Sequence, residues 1–272
     1  MAAFHVWAGA DSIHHRAAIR EIDANDVFAA LREGVEDFLA SPSHYIFMGL
    51  IYPIIGVVLM VWASGANMLP LLFPLLSGFA LVGPFAALGL YEISRRRESG
   101  LSWTFRDIVA VRHSPALPSI LALGVLLSMV FVFWLVAAQQ IYVAHFGEEA
   151  PSSLVAFFGN VLQTGVGRSM MFWGIAIGFG FALVVLASTV VAFPMLLDRD
   201  CGAATAIETS IRATFANPFP VALWGMIVVA MLAIGAIPLL VGLAVTMPIL
   251  GHATWHLYRK MVVAEPVLTP RR

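Results

Sequence analysis

Long apolar stretches alternate with polar segments along most of this chain, from Tyr45 to Tyr258. A helix that crosses the ~30 Å hydrocarbon core of a bilayer needs about 20 apolar residues. Each stretch is long enough and carries almost no charge. The pattern predicts six spans: His44–Ser64, Asn67–Glu92, Leu117–Ile141, Met170–Leu197, Phe219–Ala236 and Ile237–Tyr258.

The last two spans are separated by a turn rather than by a charged loop. One helix from Phe219 to Tyr258 would be ~60 Å long, about twice the thickness of the hydrocarbon core. The sequence Gly235-Ala236-Ile237-Pro238 supplies residues that favour a turn. This region therefore predicts a helical hairpin.

Basic residues occupy alternate gaps between the spans, which predicts the orientation. They precede span one, separate spans two and three, and follow spans four and six, whereas Arg168 lies on the other side. Because cytoplasmic loops are enriched in Lys and Arg, both termini are expected in the cytoplasm. The residues on that side are Arg16, Arg20, Arg32, Arg95, Arg96, Arg97, Arg106, Arg112, Arg199, Arg212, Arg259, Lys260, Arg271 and Arg272.

Composition agrees with a membrane protein. Of the 272 residues, 60% are hydrophobic and 11% are charged, and the mean hydropathy is +0.90. Soluble domains contain roughly 25% charged residues. Cys201 is the only cysteine, which excludes an intramolecular disulfide. The first forty residues lack the apolar core of a cleavable signal peptide, so we expect them to be retained.

Three amphipathic stretches are predicted to lie along the cytoplasmic surface with their apolar faces towards the membrane. Each is followed by a Ser-Pro or Asn-Pro pair, and the residue before proline disfavours continuation of a helix. Their apolar positions are Val27, Phe28, Leu31, Val35, Phe38 and Leu39; then Leu101, Phe105, Ile108 and Val109; then Ile207, Ile211 and Phe215.

Spans two and six share a pattern at a constant offset, which predicts an internal repeat. The alternative explanation is the general enrichment of Gly, Pro and interfacial aromatic residues in membrane helices. The residues Pro74, Gly78, Ala80, Pro84, Tyr91, Arg95 and Arg96 align without gaps with Pro238, Gly242, Ala244, Pro248, Trp255, Arg259 and Lys260.

The fold class predicted is an all-α polytopic membrane bundle of three helical hairpins with amphipathic surface helices. Its predicted parts are a cytoplasmic segment at residues 1–43, a membrane domain at 44–260 and a cytoplasmic tail at 261–272. Pro74, Gly78, Pro84, Pro238, Gly242 and Pro248 are expected to have structural roles, with Pro84 and Pro248 as kinks within their spans.

Candidate chemistry is sparse. His252 and His256 are four residues apart, so they share one helix face, and His44 and His113 are expected at a similar depth. Histidines at this spacing can bind haem or a metal, whereas interfacial histidines with no ligand are the alternative. Glu92 is expected to pair locally with Arg95 and Arg96. No basic stripe suits nucleic acid.

Several segments resemble a bacterial family of predicted integral membrane proteins without an assigned activity. They are residues 41–44, 70–74, 83–92 and 251–260, and the resemblance extends over nearly the whole chain beyond residue 20. Some members are labelled as similar to cytochrome c oxidase subunit I. The resemblance implies a membrane protein without known catalytic residues, and the label of those members points to association with a respiratory complex.

Three functional hypotheses remain open. The first is a non-catalytic accessory, assembly or scaffold component of a complex in the bacterial inner membrane, with the lipid bilayer and other subunits as partners and no cofactor. The second is a transporter or channel for a neutral or lipid-like substrate. The third is a redox protein that binds haem or a metal through His252 and His256.

Overall fold

The protein is described here by a computed structural model, which covers most of the chain. The described residues are 17–40, 69–81, 83–104, 106–107, 113–149, 151–199, 201–238 and 240–263, with isolated positions at 6, 54, 56–58 and 61. Nearly all of the first predicted span, His44–Ser64, lies outside them, as do Phe105, Ile108 and Val109 of the second predicted surface helix.

Eleven α-helices form the described part of the chain, which contains no β-strand beyond an isolated antiparallel bridge between Ile19 and Val262. A short 3₁₀ helix, Leu69–Leu71, precedes the second of them. The helices are α1 (Ala24–Ala40), α2 (Leu72–Leu81), α3 (Gly83–Ala86), α4 (Leu88–Glu98), α5 (Leu117–Phe146), α6 (Leu154–Gln163), α7 (Gly165–Thr189), α8 (Ala192–Asp198), α9 (Ala203–Ala216), α10 (Pro218–Ala236) and α11 (Leu243–Met261).

Among the described residues, three helical segments are long and apolar enough to cross a membrane: α5, the stretch Gly165–Asp198 formed by α7 and α8, and α10. They correspond to the predicted spans three, four and five. Large apolar side chains point outwards from them, such as Phe133, Phe172 and Val229. Contact between such side chains and lipid chains is favourable, whereas their exposure to water is unfavourable.

The second predicted span is not one continuous helix. A turn at Ala87 separates α3 from α4, so the described residues do not form a single helix from Asn67 to Glu92. Pro84 lies in α3, three residues before this turn, and donates no backbone hydrogen bond, which favours an interruption of the helix in this region. Pro74 lies inside α2, where its carbonyl accepts a hydrogen bond from Trp134 Nε1 on α5 at 3.0 Å.

The predicted turn between spans five and six is present. Helix α10 ends at Ala236, and α11 begins at Leu243 after a turn in which Leu240 has a positive φ of 68°. Gly235 and Gly242 lie against each other there, since a Cβ on Gly242 would be 2.8 Å from the Gly235 carbonyl oxygen. Helix α11 is not among the candidate spans. Its second half carries histidine, arginine and lysine side chains.

Helix α1 differs from the expected membrane-surface helix. It is amphipathic, but its buried side packs against α11, the helix with which it has its most extensive contact. A Cβ on Gly34 would lie 2.6 Å from the Ala253 backbone nitrogen, so the two helix backbones approach closely. The buried face packs against another helix of the same chain rather than against the membrane. It consists of Val27, Ala30, Gly34, Asp37 and Phe38.

Helix α9 resembles the expected surface helix more closely. It buries small residues, including Ala206 and Ala213, against the rest of the bundle. Its large apolar residues Ile211 and Phe215 remain exposed, Phe215 to 80%. This arrangement leaves an apolar side available to the membrane.

Helices α5 and α7 pack against each other in the membrane-spanning region. Trp134 on α5 lies against Gly178 on α7 and against Gly78 on α2. Gly174 and Gly178 are four residues apart, a spacing that favours close approach of helices. Of the two, Gly178 contacts a neighbouring helix, whereas a Cβ on Gly174 would meet nothing within 4 Å. Small residues here make room for one large aromatic ring.

Candidate functional site

Charged and polar side chains from distant parts of the sequence meet at one end of the bundle, which we call the polar end. Helices α4 and α11 pack together and both finish in basic residues. Helix α1 lies against α11, and α8 ends beside them at Asp198. The polar end therefore combines groups that are separated by more than 200 residues in sequence, such as Glu33 and Lys260.

Asp37 on α1 is at the centre of this polar end. One carboxylate oxygen accepts hydrogen bonds from Ser94 Oγ at 2.5 Å and from His256 Nε2 at 2.9 Å. The other accepts from Arg97 Nε at 2.8 Å. Asp37 is only 6% exposed. These bonds join α1 to α4 through Ser94 and Arg97, and to α11 through His256.

The surroundings of Asp37 stabilise its charged form. Burial on its own would raise the pKa of this carboxyl, but the hydrogen bonds from His256 and Ser94 and the neighbouring histidines outweigh burial and lower the pKa to about 2. Asp37 is therefore an anion at neutral pH. A buried anion needs partners that satisfy it, and the three donors do so.

His252 extends the network into the core. Its side chain is completely buried, and Nδ1 lies 2.8 Å from Ser94 Oγ. Because the Ser94 hydroxyl donates its one hydrogen to Asp37, Nδ1 of His252 is the donor to Ser94. A hydrogen-bonded chain thus runs from His252 through Ser94 to Asp37.

Further carboxylates surround this centre. Glu33 accepts from Lys260 Nζ at 2.8 Å and lies 3.3 Å from His256 Nδ1. Glu98 accepts from Trp255 Nε1 at 3.0 Å and from Arg259 Nε at 2.9 Å.

A separate hydrogen bond joins α11 to the end of α8: the Tyr258 hydroxyl donates to Asp198 at 2.7 Å. Helix α11 is therefore held by polar contacts along its whole last two turns.

Glu92 forms the local ion pairs expected from the sequence. Its oxygens accept from Arg95 Nε at 2.8 Å and from Arg96 Nε at 2.9 Å, and Arg96 also pairs with Asp107 at 3.0 Å. These groups and His113 line a cleft of about 350 Å³. We call it the second cleft, to distinguish it from a larger cleft beside Asp37. The second cleft lies between the end of α4, the start of α5 and the end of α8.

The four candidate ligand histidines do not form one cluster in the described structure. His252 and His256 share the Asp37 network, His113 lines the second cleft, and His44 lies outside the described residues. Across the described ranges, no group of three or more His, Cys, Asp or Glu side chains has the arrangement of a metal site. His252 contacts Ser94, and His256 contacts Asp37 and Glu33.

The proposed repeat places its partners in contact. Helices α4 and α11, which carry the matching residues Tyr91 and Trp255, pack together, and both aromatic side chains are 1% exposed. The first halves differ, because Pro74 lies within α2 whereas Pro238 lies in the turn before α11, and Pro84 lies in the short α3 whereas Pro248 lies inside α11. The common origin of the two segments stays a prediction.

Asp37, Ser94 and Glu33 were not among the residues singled out from the sequence. The interpretation of α1 followed its large apolar residues, including Phe28 and Leu39, which the structure leaves more than half exposed. Ala30, Gly34 and Asp37, at spacings of four and three, mark the other side of the helix. Small residues at helical spacing next to one carboxylate are the signal for this buried face.

The apolar helices and the polar end together define the class of this chain, an integral membrane protein with apolar helices. Residues 72–198, just under half of the chain, match the family described as "Predicted integral membrane protein (DUF2189)". No curated protein and no solved structure matches the chain. The family description names a membrane protein and no activity.

Proposed function

We propose that this chain is a non-catalytic accessory, assembly or scaffold component of a complex in the bacterial inner membrane, with a respiratory complex as the first candidate. One observation carries this proposal: the Asp37 network fixes α1, α4 and α11 to one another at the end of the apolar helices. The result is a structured polar surface on a membrane anchor.

Buried, satisfied polar networks favour one arrangement of the elements they join. Asp37, Ser94 and His256 bring three helices to one point, and the neighbouring Glu98 and Asp198 contacts hold Arg259 and Tyr258. A surface of this kind can keep its shape when a partner binds, so little conformational entropy is lost on binding.

The distribution of basic residues supports a cytoplasmic position for the polar end. Arg97, Arg199 and Arg259 come from three separate segments, and all of them lie at this end. Arg168 lies in the first turn of α7, some 30 residues before Asp198, at the opposite end of this candidate span. By the positive-inside rule, this distribution supports a cytoplasmic location for the polar end and for both termini.

Native mass spectrometry after gentle extraction from the protein's own membrane tests this role. We expect a stoichiometric protein partner on the wild-type chain and a weaker association for Asp37→Asn, which disrupts the network. The matched control is Glu36→Gln, because Glu36 is the preceding residue and is 66% exposed. A wild-type chain that is always extracted alone would contradict the proposal.

Transport of a neutral or lipid-like substrate is the second candidate, favoured by the interrupted helix between residues 72 and 98. Transporters often place their sites at discontinuous helices. Liposomes that contain the purified protein should then take up such a substrate faster than empty liposomes. Equal uptake over a panel of neutral and amphipathic compounds would count against transport.

Binding of haem or a metal by His252 and His256 stays a prediction. Absorption spectra and elemental analysis of the purified protein test it directly. Loss of a bound group in the variant with both histidines changed to alanine would support it, and a colourless, metal-free preparation would oppose it.

A further inference from the structure

A cleft of about 460 Å³ opens at the polar end between the start of the described chain and the ends of α1, α4 and α11. Its walls carry more positive than negative charge. Three carboxylates, those of Glu33, Asp37 and Glu98, face four cationic side chains. The cations are Arg20, Arg97, Arg259 and Lys260.

The acceptor oxygens of these carboxylates are already engaged. Glu33 binds Lys260 and His256, Asp37 binds Ser94, His256 and Arg97, and Glu98 binds Trp255 and Arg259. Five of the six oxygens accept a hydrogen bond, and the sixth, on Glu33, lies 3.3 Å from His256 Nδ1. The three carboxylates therefore lie in contact with cationic or hydrogen-bond-donating side chains, and the four cations outnumber them on the walls of the cleft.

The donors, in contrast, exceed what the carboxylates use. A guanidinium has five N–H groups, and Arg97 uses its Nε–H on Asp37. Arg20 lines the same cleft, and among the described residues its guanidinium forms neither an ion pair nor a hydrogen bond. Since a guanidinium fork matches the geometry of phosphate oxygens, Arg20 and Arg97 offer donors of the correct type.

The backbone of Arg20 is held in place by hydrogen bonds on both its N–H and its carbonyl group. Its N–H donates to the Met261 carbonyl at 2.8 Å, and its carbonyl accepts from Asn217 Nδ2 at 3.1 Å. Asn217 is 2% exposed and also accepts from the Ile22 N–H at 2.7 Å. The chain is thus fixed on both sides of Arg20, which holds at the cleft a cation with no ion-pair partner among the described residues.

We propose that this cleft is a binding site for a phosphate-class anion, in which the Arg20 and Arg97 guanidinium groups hold the phosphate oxygens. Two sources supply this chemistry: the headgroup of an anionic phospholipid from the surrounding membrane, and a water-soluble phosphorylated compound. Basic pockets at the cytoplasmic end of membrane helices are suited to lipid headgroups. The site does not depend on the proposed assembly role.

Arg20→Gln provides the sharpest variant, because it removes a cation that no described side chain pairs with and therefore leaves the Asp37 network intact. Arg32→Gln is its matched control: Arg32 lies on α1, its side chain is 74% exposed, and it does not line the cleft. Both variants lower the net charge of the protein by the same amount. Any difference between them reports the position of the charge.

The first arm measures thermal unfolding of the delipidated protein in a neutral detergent with inorganic phosphate, against chloride at equal ionic strength. A bound anion stabilises the folded state by mass action. We expect phosphate to raise Tm for the wild type and for Arg32→Gln. For Arg20→Gln, binding should weaken about ten-fold or more, the loss expected for one hydrogen bond between charged groups.

The second arm replaces inorganic phosphate with glycerol phosphate and with short-chain phosphatidylglycerol, with phosphatidylcholine of the same chain length as control. Tighter binding of phosphatidylglycerol than of glycerol phosphate would assign the site to lipid, and equal binding would assign it to a soluble compound. If phosphate and lipid stabilise the wild type no more than chloride and phosphatidylcholine do, or if Arg20→Gln behaves like Arg32→Gln, the proposal is overturned.

Discussion

Asp37 shows how one polar side chain can organise the packing of three helices. It is a buried anion whose hydrogen-bond partners come from α4 and α11, and each partner is a donor that itself needs an acceptor. Removal of one member of such a network leaves the other members without a partner in the interior. The cost of a change at Asp37 should therefore exceed that of a surface ion pair.

The first prediction concerns Asp37→Asn. The asparagine keeps the size of the side chain but removes the charge that binds Arg97 and His256. We expect a loss of about 2 kcal/mol in the free energy of unfolding, below the value for a fully buried pair because the Arg97 side chain is 34% exposed. Thermal or denaturant unfolding in detergent measures it.

Glu36→Gln is the control for that change. Glu36 and its partner Arg32 are 66% and 74% exposed and 3.7 Å apart, so the control should shift stability by less than about 0.5 kcal/mol. Equal effects of the two substitutions would show that Asp37 is not the centre of the network.

The pKa of Asp37 gives a second prediction, on the pH dependence of stability. This pKa is about 2 in the folded protein, below the ordinary value of 3.8, so ionisation of Asp37 stabilises the folded state. The contribution is fully present above about pH 4 and is lost as the pH falls towards 2. The difference in stability between wild type and Asp37→Asn should shrink as the pH falls from about 4 towards 2. A difference that stays constant or grows over this range would contradict the assignment.

At the scale of elements, the sequence predicted the three most apolar spans well because a long uncharged helix leaves few alternatives. It did not predict the interruption of the segment that contains Pro84, since proline can also be accommodated as a kink within one helix. The packing of α1 was missed for another reason. The close approach of α1 and α11 depends on the small size of Gly34 and Ala253. A pattern of hydrophobic positions carries no information about residue size.

The contact between α1 and α11 gives a third prediction. A Cβ on Gly34 would lie 2.6 Å from the Ala253 nitrogen and 2.7 Å from its Cβ, and both belong to a packed helix that cannot yield easily. Gly34→Ala should therefore destabilise the protein by about 1–3 kcal/mol, measured by unfolding in detergent.

Gly174→Ala is the matched control, because this glycine is also in a helix and a Cβ there meets nothing within 4 Å. It should be neutral or stabilising by up to about 1 kcal/mol through helix propensity. Tolerance of alanine at Gly34 to the same degree as at Gly174 would mean that α1 does not lie against α11.

At the scale of the whole molecule, the histidine pair was found from its spacing alone, whereas its environment was not. Asp37 is 219 residues away from His256 in sequence, and no local pattern connects the two. The separation of charge between the two ends of the bundle could be predicted, because it follows from the order of basic segments along the chain.

The orientation gives a fourth prediction. In a Cys201→Ser background, a cysteine introduced at exposed Ser152 should react with a membrane-impermeant maleimide in intact cells, whereas one introduced at Glu36 should react only after the membrane is permeabilised. Ser152 lies between α5 and α7, at the end opposite to the polar end, whereas Glu36 lies on α1. The two positions are therefore expected on opposite sides of the membrane. The reverse pattern of labelling would place the termini outside.

Hydrogen–deuterium exchange of the α1 backbone amides most directly tests whether the Asp37 network fixes α1 to α4 and α11. In the wild type, the α1 amides should be protected to the same degree as those in the last two turns of α11, and protection of α1 should fall in Asp37→Asn while α5 is unchanged. Rapid exchange throughout α1 in the wild type, or protection that Asp37→Asn leaves intact, would contradict it.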